Sequence, residues 1–162
     1  MVKTGLFLIF FRLLFTVLSA SLVYMQPLFV FVTCGSLLVG TFGALKQIRI
    51  KRFIAYASIS QVGFIFIGLS CGSLDGLISS ILYLFLYVLM SVLFFSFLLK
   101  TESIIYGKNM TYFTDFYSVE NIDQKEIKSL LIVLMSMSGV PPLGGFVGKI
   151  LLYFSAFDTR LD

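Results

Sequence analysis

SMSGVPPLGGFVGK, residues 136–149, is the stretch on which the reading of this chain turns. It carries two prolines and four glycines inside an apolar run that extends over 129–157. An α-helix bonds each N–H to the carbonyl four residues back, and proline has no N–H to give. Pro141 and Pro142 therefore leave the carbonyls of Met137 and Ser138 without helical partners. Gly139, Gly144 and Gly145 relax the backbone on either side. The spacing predicts a span that loses its helix between about Ser138 and Gly145, leaving two half-helices. At membrane depth such a break survives only where protein or a water-filled cavity surrounds it. The alternative is a proline kink that serves packing alone.

The same stretch ends on Lys149, flanked by Val147, Ile150, Leu151 and Leu152, with no acid nearby in sequence. A lysine at membrane depth costs on the order of 3 kcal/mol by insertion scales, which makes it a candidate functional group. Burial and the positive end of the second half-helix both act against its ammonium form. Snorkelling to the interface is the competing reading. Ser136 and Ser138 beside the break, with Tyr83 and Tyr87 on one face of an earlier helix, are candidates for a polar path. A tyrosine pair at that spacing also serves packing.

Outward from the break, the 162 residues are 59% hydrophobic and 12% charged, about half the charge of a soluble domain. Apolar runs cover 4–24, 28–45, 53–70, 76–99 and 129–157, each long enough to cross a bilayer as a helix. No sustained alternation points to a β-barrel. The expected fold is therefore all-α, a polytopic membrane protein of about five transmembrane helices, the last one broken. Residues 1–162 are expected to form one membrane domain, with 100–128 an interfacial loop and Met25-Gln26-Pro27 the turn between the first two runs.

The connections alternate in charge. Lys3, then Lys46, Arg49, Lys51 and Arg52, then Lys100, Lys108, Lys125 and Lys128 fall on one side. The intervening connections hold no base, and Asp75 is their one charge. The positive-inside rule makes the basic side the cytoplasmic or matrix side. Arg160 is the exception. Lys3 fits either an inside flank or a channel lysine, and Arg12 lies about 180° from it around the helix. Gly40, Gly43 and Ala44 offer a small-residue face for a close helix. The net charge of +4 is not gathered into a nucleic-acid patch. There is no histidine, which removes the usual zinc and haem ligand. Cys34 and Cys71 lack metal-site spacing and read as buried free thiols.

Four segments in order resemble a known family: GTFGALKQIRIKRFIAYASISQVGF (40–64), IGLSCGSLDG (67–76), LFLYVLMS (84–91) and SGVPPLGGFVGK (138–149). They resemble the antiporter-like membrane subunits of NADH:ubiquinone oxidoreductase, respiratory complex I, and subunit 2 in particular. The Mrp-type cation/proton antiporters are relatives. The lysine in GFVGK distinguishes subunit 2 from subunit 4, which carries glutamate there. The resemblance implies spans eight to twelve of a fourteen-span subunit. It also implies that Lys3 passes protons to Lys149 through ordered water, and that Gln61 stands where many members have histidine.

By the same resemblance the chain is one product of a split mitochondrial subunit. Its implied partners are other complex I membrane-arm subunits, a separate chain supplying the missing N-terminal spans, and lipid, with no nucleic acid. No cofactor is expected in this chain, since redox chemistry in the family occurs elsewhere. The implied location is the mitochondrial inner membrane, with the N-terminus and basic loops in the matrix. The other readings are an Mrp-type sodium/proton antiporter subunit and a scaffold with idle channel residues.

Overall fold

In a bilayer every backbone N–H and C=O has to find its partner within the protein, and this sequence pairs them in helices. The computed structural model describes residues 2–16, 22–104, 112 and 124–158. They form α1 (Val2–Thr16), α2 (Leu22–Leu45), α3 (Ile50–Ser70), α4 (Leu74–Ile104), α5 (Gln124–Ser138) and α6 (Gly144–Asp158). Among the described residues there is no strand, only an isolated antiparallel bridge between Arg49 and Tyr112.

Three of these helices, α2, α3 and α4, are long and apolar enough to cross a membrane singly. The break at 139–143 divides the last apolar run into α5 and α6, as the prolines require. Three expectations need correcting. Met25-Gln26-Pro27 is not a turn but lies within α2, which starts at Leu22. Pro27 sits near the helix start, so its missing N–H forfeits one bond, to the Val23 carbonyl, and the helix absorbs that loss. Residues 17–21, between α1 and α2, lie outside the described residues. The first run is also shorter as a helix than expected: α1 has 15 residues, about 22 Å at 1.5 Å per residue. The span taken as an interfacial loop, 100–128, loses both ends to helix, since α4 runs to Ile104 and α5 begins at Gln124. The rest of it, apart from Tyr112, lies outside the described residues.

α2 and α3 pack closely through small residues. A Cβ on Gly40 would stand 2.6 Å from the Ser60 nitrogen, and one on Gly63 would stand 2.6 Å from Ser36 Oγ. Gly43 lies against the Tyr56 ring, so the predicted small-residue face does take a neighbouring helix. The α3–α4 turn passes through Gly72 at φ +66, beyond a crossing where the backbones of Gly68 and Gly76 touch. Phe7, Phe10, Phe29 and Phe66 join α1, α2 and α3 through ring pairs 5.9–6.2 Å apart. Leu14, Ile65, Leu69, Leu77, Leu84 and Leu152 complete the core. Of the two thiols, Cys34 is exposed on α2 and Cys71 only half-buried. The expectation of burial fails because an apolar residue in a bilayer can face lipid as well as protein.

Candidate functional site

The broken span ends its first half with a complete cap. Gly139 adopts φ +88, the left-handed conformation that turns the chain out of a helix. The Val140 N–H donates to the Met135 carbonyl and the Gly139 N–H to the Ser136 carbonyl, both at 3.1 Å. That pattern satisfies the carbonyls of Met135 and Ser136. It leaves those of Met137 and Ser138, the pair that Pro141 and Pro142 deprive of donors.

Lys149 fills the vacancy. It is the sixth residue of α6, and side chains on a helix lean toward its N-terminus. The ammonium therefore reaches back across the break, donating to the Ser138 carbonyl at 2.9 Å and the Met137 carbonyl at 3.4 Å. Its Nζ also stands 4.5 Å from the centre of the Phe64 ring, within cation–π range. The sequence placed Lys149 by the positive end of α6. The structure also turns its charge to the negative, carbonyl end of α5, which opposes the positive end of α6.

A second donor converges on the same carbonyl. Gln61 Nε2, from buried α3, donates to the Met137 carbonyl at 3.3 Å. The Tyr83 hydroxyl, from α4, donates to Gln61 Oε1. Gln61 and Tyr83 are 8% and 3% exposed, so the bond between them is buried, while the Gln61–Met137 bond is partly buried. Beside them lies a cavity of about 10 Å³ lined by Gln61, Tyr83, Tyr87, Met90, Met137 and Gly145, among others. That is about the room a single water needs. Tyr87 also borders a groove of about 650 Å³ that passes Ser91, Ser58 and Thr4 and includes Lys51 in its wall. Toward the opposite end of α4 and α6, Ser79 and Ser155 hydroxyls meet at 3.1 Å. They line a recess of about 240 Å³ with Asp75 and Asp158. Wholly buried Leu152 occupies the α6 turn between Lys149 and Ser155.

Most of the residues singled out in the sequence converge here. Ser136 Oγ accepts the Gly145 N–H at 3.4 Å, closing the start of α6 onto the end of α5. Ser138 contributes its carbonyl; its hydroxyl turns back to Met135 O. Gly139 leaves room for the lysine, since a Cβ there would lie 3.0 Å from Lys149 Cδ. Pro141 and Pro142 form the unwound peptide, and Gly144 and Gly145 open α6. Tyr83 and Tyr87 share the small cavity. Lys3 lies on α1, but its side chain is outside the described set, so its relation to Lys149 is not part of this geometry. Arg12 is exposed on α1.

Two contributors were not proposed as site residues. Gln61 drew notice only as a departure from histidine, and Phe64 not at all. They sit at i and i+3 on one face of α3. Nothing in the local sequence says that this face meets the end of α5.

The family model for the transmembrane part of NADH:quinone oxidoreductase and the Mrp antiporters matches residues 1–162. NADH-ubiquinone oxidoreductase chain 2 of Marchantia polymorpha is 35% identical over 131 residues, 81% of this chain and 26% of that protein. NADH-quinone oxidoreductase subunit N of Pelagibacter ubique is 32% identical over 162 residues, 98% of this chain and 33% of its own length. Chain 2 of Arabidopsis thaliana is 33% identical over 132 residues, 82% of this chain and 26% of its own. The chain thus spans about a quarter to a third of the length of these relatives. A broken membrane span with a lysine on its orphaned carbonyls, and these matches along the whole chain, establish that the protein belongs to the antiporter-like membrane family shared by NADH:quinone oxidoreductase and the Mrp antiporters.

Proposed function

We propose that this chain is part of the proton-translocating membrane arm of respiratory complex I, and that Lys149 is the proton carrier on the exit side of its path. The observation that carries this reading is the seat of Lys149, whose Nζ donates to both carbonyls orphaned by the prolines. An ammonium has three N–H donors and a neutral amine two. Two carbonyls therefore keep their donors whether or not Lys149 holds its extra proton. A group seated in this way can change protonation state without unmaking the helix break.

In this reading protons reach Lys149 from Lys3 by way of water in the groove beside Thr4 and Tyr87 and in the small cavity beyond Tyr87. They leave toward the recess at Ser79, Ser155, Asp75 and Asp158. This chain binds no cofactor, and electron transfer from NADH to ubiquinone takes place in other subunits. The protein lies in the mitochondrial inner membrane with its basic connections in the matrix and its C-terminus on the intermembrane side. The names of the similar proteins, oxidoreductase subunits from plants and bacteria, favour this over a sodium/proton antiporter.

The test is proton uptake per NADH oxidised in the reconstituted complex, with electron transfer followed alongside. Lys149→Ala is expected to lower that ratio while the complex still assembles. Lys149→Arg is expected to lower it nearly as far, because a guanidinium does not release its proton in this range. Normal pumping by Lys149→Arg would mean that a fixed positive charge suffices, and the relay role would be withdrawn. A sodium requirement for proton uptake would favour the antiporter reading instead.

A further inference from the structure

The end of the bundle remote from Ser79 and Asp158 carries a cluster of cations, of which Lys51 also borders the groove of the proposed proton path. The α2–α3 connection brings Arg49, Lys51 and Arg52 around one pocket of about 380 Å³, closed on another side by Tyr112. Among the described residues that line it, three of four are cations and none is a carboxylate. Tyr112 is held there by Arg49, whose guanidinium donates to its hydroxyl at 3.5 Å and lies 5.7 Å from its ring centre. The two residues also share a backbone bridge. Three like charges around one pocket repel one another, and an anion between them relieves that repulsion. Arg49, at the N-cap of α3, makes no side-chain cap, so the first-turn N–H groups add to the positive field.

The surroundings identify the source of the anion. The pocket sits where apolar α2 ends and α3 begins, and Phe42, Leu45 and Ile48, next to it in the chain, are all exposed apolar side chains. A ligand in that position meets cations with one end and hydrocarbon-facing side chains with the other. Guanidinium groups favour the oxygens of a phosphate, and tyrosine favours the headgroup layer. We infer that Arg49, Lys51, Arg52 and Tyr112 form a binding site for the phosphate headgroup of an anionic phospholipid, whose acyl chains lie along Phe42, Leu45 and Ile48.

The test uses the purified complex containing the full chain, reconstituted in nanodiscs of phosphatidylcholine with increasing phosphatidylglycerol. Hydrogen–deuterium exchange of peptides covering 46–53 reports on the site. Protection is expected to rise with phosphatidylglycerol, and millimolar inorganic phosphate in phosphatidylcholine discs is expected not to reproduce it. At roughly fivefold per cation near a membrane surface, the Arg49→Gln/Arg52→Gln double variant should weaken the preference for anionic lipid about 30-fold. Lys128→Gln, an exposed cation outside the pocket, should leave it unchanged. Equal protection with and without phosphatidylglycerol overturns the proposal even if the double variant does not assemble. Protection by inorganic phosphate alone overturns the lipid as ligand. Protection in neutral discs that vanishes only when a neighbouring subunit is removed would assign the pocket to an acidic protein segment.

Discussion

Gln61→Leu removes an amide that serves two groups at once. Leucine fills nearly the same volume but leaves the Tyr83 hydroxyl without its acceptor and the Met137 carbonyl with Lys149 as its remaining donor. A hydrogen bond between membrane helices is worth on average about 0.6 kcal/mol, and up to about 1.7. A buried group left unpaired costs about 1–3 kcal/mol. The cavity beside Gln61 admits one water to Tyr83, which holds the cost toward the low end. Gln61→Leu should therefore destabilise by about 2 kcal/mol, and Tyr83→Phe, which orphans only Gln61 Oε1, by about 1 kcal/mol. In the double variant both halves of the Tyr83–Gln61 bond are gone together, so the loss should be about 2 rather than about 3 kcal/mol. The assay is equilibrium unfolding in mixed micelles of rising SDS content, followed by circular dichroism. Additivity within about 0.3 kcal/mol would show that Gln61 and Tyr83 share no interaction, and the α3–α4–α5 network would be wrong.

Two further substitutions probe the same construction. Gly139→Ala forces a side chain into φ +88, at about 1–2 kcal/mol, and sets a Cβ against Lys149 Cδ; pumping per NADH should fall, and a normal ratio would show that the lysine seat tolerates displacement. Gly148→Val places methyl groups where a Cβ alone would already stand 2.9 Å from Tyr83 Cδ2 and 3.0 Å from Leu86 Cδ1. Overpacking there should cost about 1–3 kcal/mol in the same micelle assay, and no change would contradict the close α4–α6 approach.

The break was legible because its cause is covalent. Proline lacks an N–H wherever it sits, so the two orphaned carbonyls follow from Pro141 and Pro142 alone. What fills them was not legible. Lys149 was marked as costly, but its direction depends on how α6 leaves the break, and Gln61 comes from a helix seventy-six residues away in sequence from Met137. The misplaced turn at Met25–Pro27 has a related cause. The cost of a proline depends on its position: at 141–142 it comes after a full half-helix, whereas at 27 it comes near the beginning of one. The charge pattern was unaffected by that error, because residues 17–21 are as free of charge as 25–27.

Gln61 also bears on how protons could move in the proposed relay. Its amide donates on one side and accepts on the other, linking Tyr83 to the Met137 carbonyl. A neutral imidazole can make the same two bonds, so glutamine where the family resemblance implies histidine keeps the link intact. It does not keep the chemistry, because an amide takes up no proton near neutral pH. The step from the tyrosines to Lys149 then cannot run through the side chain at 61. The adjoining water-sized cavity touches Tyr83, Tyr87 and Met137, whose carbonyl Lys149 already holds. A water there reaches the neighbourhood of Lys149 without using Gln61 as a carrier. In the proposed relay the glutamine would fix the walls of the passage, and a water in the cavity would supply the mobile proton.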